Sequence, residues 1–73
     1  MEENKRVLPI APFGKILKRN GAVRISQRAA ESFRDLIEEY VNEVAKKIVE
    51  IQKLTNRNTV KQRDVDAVKK FLW

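Results

Sequence analysis

The chain has no cysteine and no histidine. No disulfide can staple it, and zinc loses the thiolate and imidazole ligands that dominate its sites. A cysteine-free chain suits a reducing compartment. Glycine and proline occur only twice each among 73 residues, so there is no glycine-rich loop to cradle a nucleotide phosphate. No apolar run exceeds three residues, against the ~20 that a membrane-spanning helix needs. These absences, with no carboxylate cluster away from a helix face, argue against an enzyme. They also predict no cofactor, metal, small-molecule substrate or membrane partner, and a soluble, intracellular protein. A chain this short is one domain and is marginal alone. With disulfides and zinc excluded, oligomerisation is the remaining common device.

Charge is present, and unevenly placed. The formal net charge is +6. Residues 4–30 hold seven bases and no acid, residues 31–52 hold six acids and three bases, and residues 53–73 hold six bases and two acids. Both ends are cationic and the centre is not. A polyanion is the natural partner of such ends. Glu38, Glu39 and Glu43 recur at helical spacing beside Lys46 and Lys47 and read as a solvated face with local ion pairs.

Residues 1–7 carry no apolar pattern and read as a frayed terminus ahead of a domain spanning 8–73. Leu8-Pro9-Ile10-Ala11-Pro12 leads into a short helix, where Pro12 is tolerable in the first turn. Phe13, Ile16 and Leu17 give that helix an apolar face. Asn20-Gly21 stops it, since both residues accept a left-handed cap. Ala22-Val23-Arg24-Ile25 is a β-branched connector, and Ser26 is placed to cap the next helix. The segment from Gln27 to about Leu54 contains no glycine or proline, and apolar residues recur in steps of three and four. It predicts a helix of about seven to eight turns, roughly 40 Å long. Asn56 can end it in a left-handed conformation. Thr59 and Gln62 have capping-box spacing, and residues 61–71 form a last helix with Val65, Val68 and Phe71 or Leu72 inward.

The apolar stripe of the long helix is doubled at residues 36 and 37, 40 and 41, 44 and 45, and 48 and 49. One short helix at each end cannot cover it. A monomer would expose an apolar patch of the kind folded proteins avoid. The uncovered part therefore calls for a second chain.

Three strings of residues resemble a known family. Leu8-Pro9-Ile10-Ala11-Pro12-Phe13-Gly14-Lys15-Ile16-Leu17-Lys18 resembles the first helix of archaeal histones. Gly21-Ala22-Val23-Arg24-Ile25-Ser26 resembles their first loop, and Arg57-Asn58-Thr59-Val60-Lys61-Gln62-Arg63-Asp64-Val65 their second loop and third-helix start. The resemblance runs without gaps over residues 8–71. It implies an all-α histone fold that forms an intertwined handshake dimer. Each first loop would pair as a short parallel strip with the partner's second loop.

The resemblance also implies contacts with double-stranded DNA. Arg24 enters the minor groove, where negative potential is concentrated, and Thr59 of the partner chain braces it. Lys15 contacts phosphate, with Lys18 and Arg19 beside it. Ser26 caps its helix next to a phosphate, and Lys61 contacts phosphate after the second loop. Asn58 stands where most members have a basic residue, which removes one charge per chain. Arg57 and Asp64 match an ion pair that braces the second loop. Ile51, Leu54, Asp64 and Ala67 match the surface through which dimers join, with Leu54 replacing a common histidine. Gly21 sits where stacked turns of the assembly approach one another, and equally serves as a helix cap. Trp73 stands where the family is usually basic.

The implied activity is DNA compaction by a homodimer, or a heterodimer with a paralogue, extending to tetramers or polymers on a nucleoid in the cytoplasm. Two other readings stand beside it. A histone-fold heterodimer can be an interaction module in a transcription complex, but a pure scaffold has no need of Arg24. A helix-turn-helix repressor is disfavoured by the unbroken central helix.

Overall fold

The computed structural model describes residues 6–56 and 58–72, the last by its backbone only. Arg57, Trp73 and the side chain of Leu72 lie outside the described residues, and with them the Arg57–Asp64 pair. Three helices are present among the described residues, and no strand: α1 (Ala11–Arg19), α2 (Gln27–Leu54) and α3 (Gln62–Leu72). None is long and apolar enough to cross a membrane. The chain divides into two units, Met1–Tyr40 and Val41–Trp73. Residues 27–40 of α2 belong to the first and residues 41–54 to the second.

In the first unit, α1 opens at Ile10 with no side-chain cap, and a proline falls in its first two positions. The ring removes an N–H that would have had no helical partner there. At the other end the amide of Gly21 bonds the carbonyl of Lys18 at 3.0 Å, and that of Ala22 bonds Leu17 at 3.0 Å. These two bonds make a Schellman cap. Gly21 carries φ +108°, while Asn20 stays at −96° and uses its side-chain amide on the Ile16 carbonyl at 2.8 Å. α2 starts as its sequence predicts. The Ala29 amide donates to Ser26 Oγ at 3.0 Å, and the Ala30 amide donates to the Ser26 carbonyl at 3.2 Å. Phe13 meets Phe33 edge to face, with centroids 5.1 Å apart and planes at 87°, a geometry worth about 0.5–1.5 kcal/mol beyond burial.

In the second unit, Asn56 takes φ +60° and its amide bonds the Lys53 carbonyl at 3.1 Å, which ends α2. The next helix begins later than the Thr59–Gln62 spacing implies. Its reciprocal cap is made by Asp64, whose Oδ2 accepts the Lys61 amide at 2.8 Å. Asp64 is the third residue of α3, which starts at Gln62, so Lys61 takes the cap position. Its inner face is also rotated from the expected one. Asp64 and Val68 are buried one turn apart, whereas Val65 is exposed and Phe71 is 81% exposed. The buried carboxylate belongs to the cap, and Val68 is buried as expected.

Buried hydrophobic residues among those described are Phe13, Ala30 and Val68, too few to hold a domain against chain entropy. The central row of the α2 stripe (Phe33, Ile37, Val44, Ile48, Ile51) is half-buried. Leu36, Tyr40, Val41 and Val49 beside it are exposed.

The two glycines give substitutions of opposite sign. Gly21→Ala forces a β-carbon into positive φ and lowers stability by about 1–2 kcal/mol. Gly14 is inside α1, where an added Cβ meets nothing within 4 Å. Gly14→Ala therefore gains about 0.5–1 kcal/mol. Denaturant midpoints of the two variants should move in opposite directions at constant m-value. A shift of the same sign in both would overturn the capping assignment.

Candidate nucleic-acid interface

The site rests on how charge is sorted in the first unit. Arg34 and Glu38 lie one helical turn apart and are both buried. The two carboxylate oxygens of Glu38 accept the amides of Val7 and Leu8, each at 2.8 Å. Arg34 Nη1 donates to the Leu8 carbonyl at 2.8 Å, and its Nε donates to Asp35 Oδ1 at 2.7 Å. Arg6 stands 3.3 Å from Asp35 and 3.8 Å from Glu39. This network clamps the segment entering α1, and so sets where the cations of α1 begin.

Glu38 thus departs from its sequence reading. It is a buried acceptor that holds the chain, not part of a solvated acidic face. The rest of that face is as expected, with Lys46 paired to Glu43 at 3.4 Å. Arg6 and Val7, at the end of the segment expected to fray, are held by these contacts. A helical spacing of acids does not tell which one a preceding segment will cover, so the pattern alone carries no signal. The opposite charges at Arg34 and Glu38 are the one hint in the sequence.

The clamp and its neighbours use the described acids of this unit on Arg6 and Arg34. The other cations are left out of it. Lys15, Lys18, Arg19, Arg24 and Arg28 are exposed, and no carboxylate pairs with them among the described residues. Lys15 and Lys18 from α1 and Ser26 and Gln27 from the start of α2 line one open cleft. Ser26 Oγ accepts the Ala29 amide there, which leaves its own O–H proton able to donate outward. The cap takes the Ala29 and Ala30 amides. Those of Gln27 and Arg28 stand ahead of the first helical bond, at the positive end of the helix dipole. Neither α1 nor α2 has an acid in its first turn. Such a cleft suits an oxyanion. Arg24 is in the exposed connector between α1 and α2, beside Val23 at 87% exposure.

In the second unit, Asn58, Thr59 and Lys61 are exposed on the connector that leads into α3. Asp64 is 1% exposed, so its carboxylate acts inside its own loop. Of the four residues expected to join dimers, Ile51 and Ala67 are half-buried, and Leu54, 84% exposed, offers the most surface. Ile51, Val68 and Phe71 line a second open cleft with Lys47 and Glu50.

The chain is similar in sequence to known proteins. A family model described as "Histone-like transcription factor (CBF/NF-Y) and archaeal histone" matches residues 6–68. A protein of Methanocaldococcus jannaschii named "Probable archaeal histone 3" is 45% identical over 60 residues, covering 82% of this chain and 90% of that protein. One of the subunits of the archaeal histone HAN1 of Thermococcus zilligii is 43% identical over 58 residues, covering 80% and 87%.

The clamp has a pH signature. The Leu8 amide, then the Val7 amide, holds the Glu38 carboxyl below its ordinary 4.5; Arg6 and Arg34 add to this and burial opposes it. A depressed folded-state value stabilises the fold above the unfolded pKa, and that contribution is lost as pH falls through the folded value. The stability gap between the wild type and Glu38→Gln should be full above pH 4.5 and close at lower pH. Denaturation at a series of pH values measures it. A gap that stays constant into acid would exclude the ionised clamp.

Proposed function

The chain belongs to the histone-like transcription factor (CBF/NF-Y) and archaeal histone family, and from this membership we propose that it binds and compacts double-stranded DNA as a histone-fold dimer, with little sequence preference. The observation that carries the reading is the set of unpaired cations around the cleft at the start of α2. Acids neutralise Arg6 and Arg34 but leave Lys15, Lys18, Arg19 and Arg24 for phosphates. In this reading Arg24 enters the minor groove, and Thr59 of the other chain holds it in register. Ser26 donates to a phosphate while capping α2, and Lys61 meets the backbone beyond the second loop. Phosphate contacts of this kind position a protein on DNA without reading sequence.

The exposed Leu36, Tyr40, Val41 and Val49 support the dimer, in which the long helices cover one another. The twin is a second copy or a paralogue. Arg57 and Asp64 brace the second loop, and Gly21, beyond its cap, permits close approach of neighbouring turns. Ile51, Leu54 and Ala67, with Asp64 of the same expected set, form the surface on which dimers join along chromosomal DNA in the cytoplasm. Leu54 adds apolar area to that contact. Asn58 removes a charge per chain, which makes the salt dependence of binding shallower by nearly two units per dimer than for a basic residue there.

Titration onto unrelated duplexes at several salt concentrations tests this reading. All should bind, with affinity falling steeply as salt rises. A strong preference for one site would sink it, and absence of binding at low salt would favour an interaction module instead. Arg24→Ala should weaken binding to every duplex by roughly tenfold for each of the two arginines of a dimer, the size of one charge-assisted hydrogen bond apiece, with unchanged circular dichroism. Loss of the helical signal would make Arg24 structural.

A further inference from the structure

We propose that Arg28 is an additional phosphate-binding residue, one per protomer, which extends the cationic edge from α1 and the first connector onto the first turn of α2. The inference rests on the DNA-binding reading above and adds a residue to it. Two features of the first unit lead to Arg28. The first is the partition of its arginines. Arg6 and Arg34 sit in the acidic network with Asp35, Glu31 and Glu39. Arg28 is exposed and lies outside that network. Its natural helical partner at i+3 is Glu31, but that carboxylate faces Arg34, at 3.9 Å. At i+4 stands the neutral Ser32.

The second feature is location. Arg28 is next to Gln27, which lines the cleft with Lys15, Lys18 and Ser26. No acid occupies the first turn of α2, and the dipole there disfavours a cation. Among the described residues no acid offsets that repulsion. A phosphate held at the cleft offsets it, and the guanidinium can then bond the same phosphate or its neighbour in a fork. Arg28 thus contributes when DNA is bound and slightly destabilises the chain when it is not. This separates it from the clamp arginines, which serve the fold.

The test compares Arg28→Gln, Arg28→Lys and Lys47→Gln in the full chain on one duplex across a salt series. Lys47 is an exposed lysine in the second unit and reports the effect of charge alone. Arg28→Gln should flatten the salt slope by about 0.9 for each phosphate released, nearly two for a dimer, while its denaturant midpoint holds or rises. Arg28→Lys keeps the charge and should keep the slope. Lys47→Gln should also keep it. A wild-type slope in Arg28→Gln overturns the inference, as does an equal flattening by Lys47→Gln. A fall in midpoint with Arg28→Gln would place Arg28 in the fold and overturn it too. Failure of the wild type to bind any duplex would instead remove the DNA-binding reading beneath it.

Discussion

An apolar stripe that one chain cannot cover governs everything else in this molecule. α2 is long and unbroken because nothing in Gln27–Leu54 interrupts a helix, and its apolar residues double up along most of that length. A helix of this length, roughly 40 Å at 1.5 Å per residue, presents more hydrophobic surface than α1 and α3 can bury. Phe13, Ala30 and Val68 are the hydrophobic residues buried among those described. Folding energy scales with apolar area removed from water, about 25 cal/mol per Å², so the missing stability has to come from the residues still exposed. A second chain laid on them supplies that area. Dimerisation is then the completion of the core.

The same helix organises the charge. Buried Arg34 and Glu38 fix the segment before α1 through both peptide groups of Leu8. Buried charges are costly unless paired and hydrogen-bonded, and both carboxylate oxygens of Glu38 and the Nε and Nη1 of Arg34 have partners. Their acidic neighbours neutralise Arg6. The cations of α1, of the first connector and of the first turn of α2 are therefore left facing solvent without acids. The net charge of +6 understates this segregation, because the acids are concentrated on α2, and Glu31, Asp35, Glu38 and Glu39 are already engaged there.

Much of the fold is legible in the sequence. The steps of three and four along residues 27–54 give α2 as observed. Ser26 caps it and Gly21 ends α1, because each residue type suits one backbone conformation. The residues proposed to face DNA come from the family resemblance, and the structure places Lys15, Lys18 and Ser26 around one cleft. The sequence does not decide between similar residues. Asp64 and not Gln62 makes the back-bond at α3, since a helix start has several candidate caps within two positions. Glu38 and not Glu39 is buried, since periodicity gives faces but not what covers them. Within the single chain Asp64 and Val68 are the buried residues of α3 while Val65 and Phe71 are exposed, and a hydrophobic pattern cannot reveal that an acid joins the buried face. Arg28 lies outside the strings that carry the resemblance, and only the pairing of its neighbours singles it out.

Asn58 and Leu54 depart from the pattern that the resemblance implies, one neutral and exposed on the second connector and the other 84% exposed at the end of α2. The roles proposed for them assume that the basic unit is a dimer. The most direct measurement of that is the dependence of unfolding on protein concentration, read with sedimentation of the folded protein. Folding coupled to association predicts a denaturation midpoint that rises with concentration and a folded mass of two chains. A midpoint independent of concentration, with the mass of one chain, would contradict the account at its root.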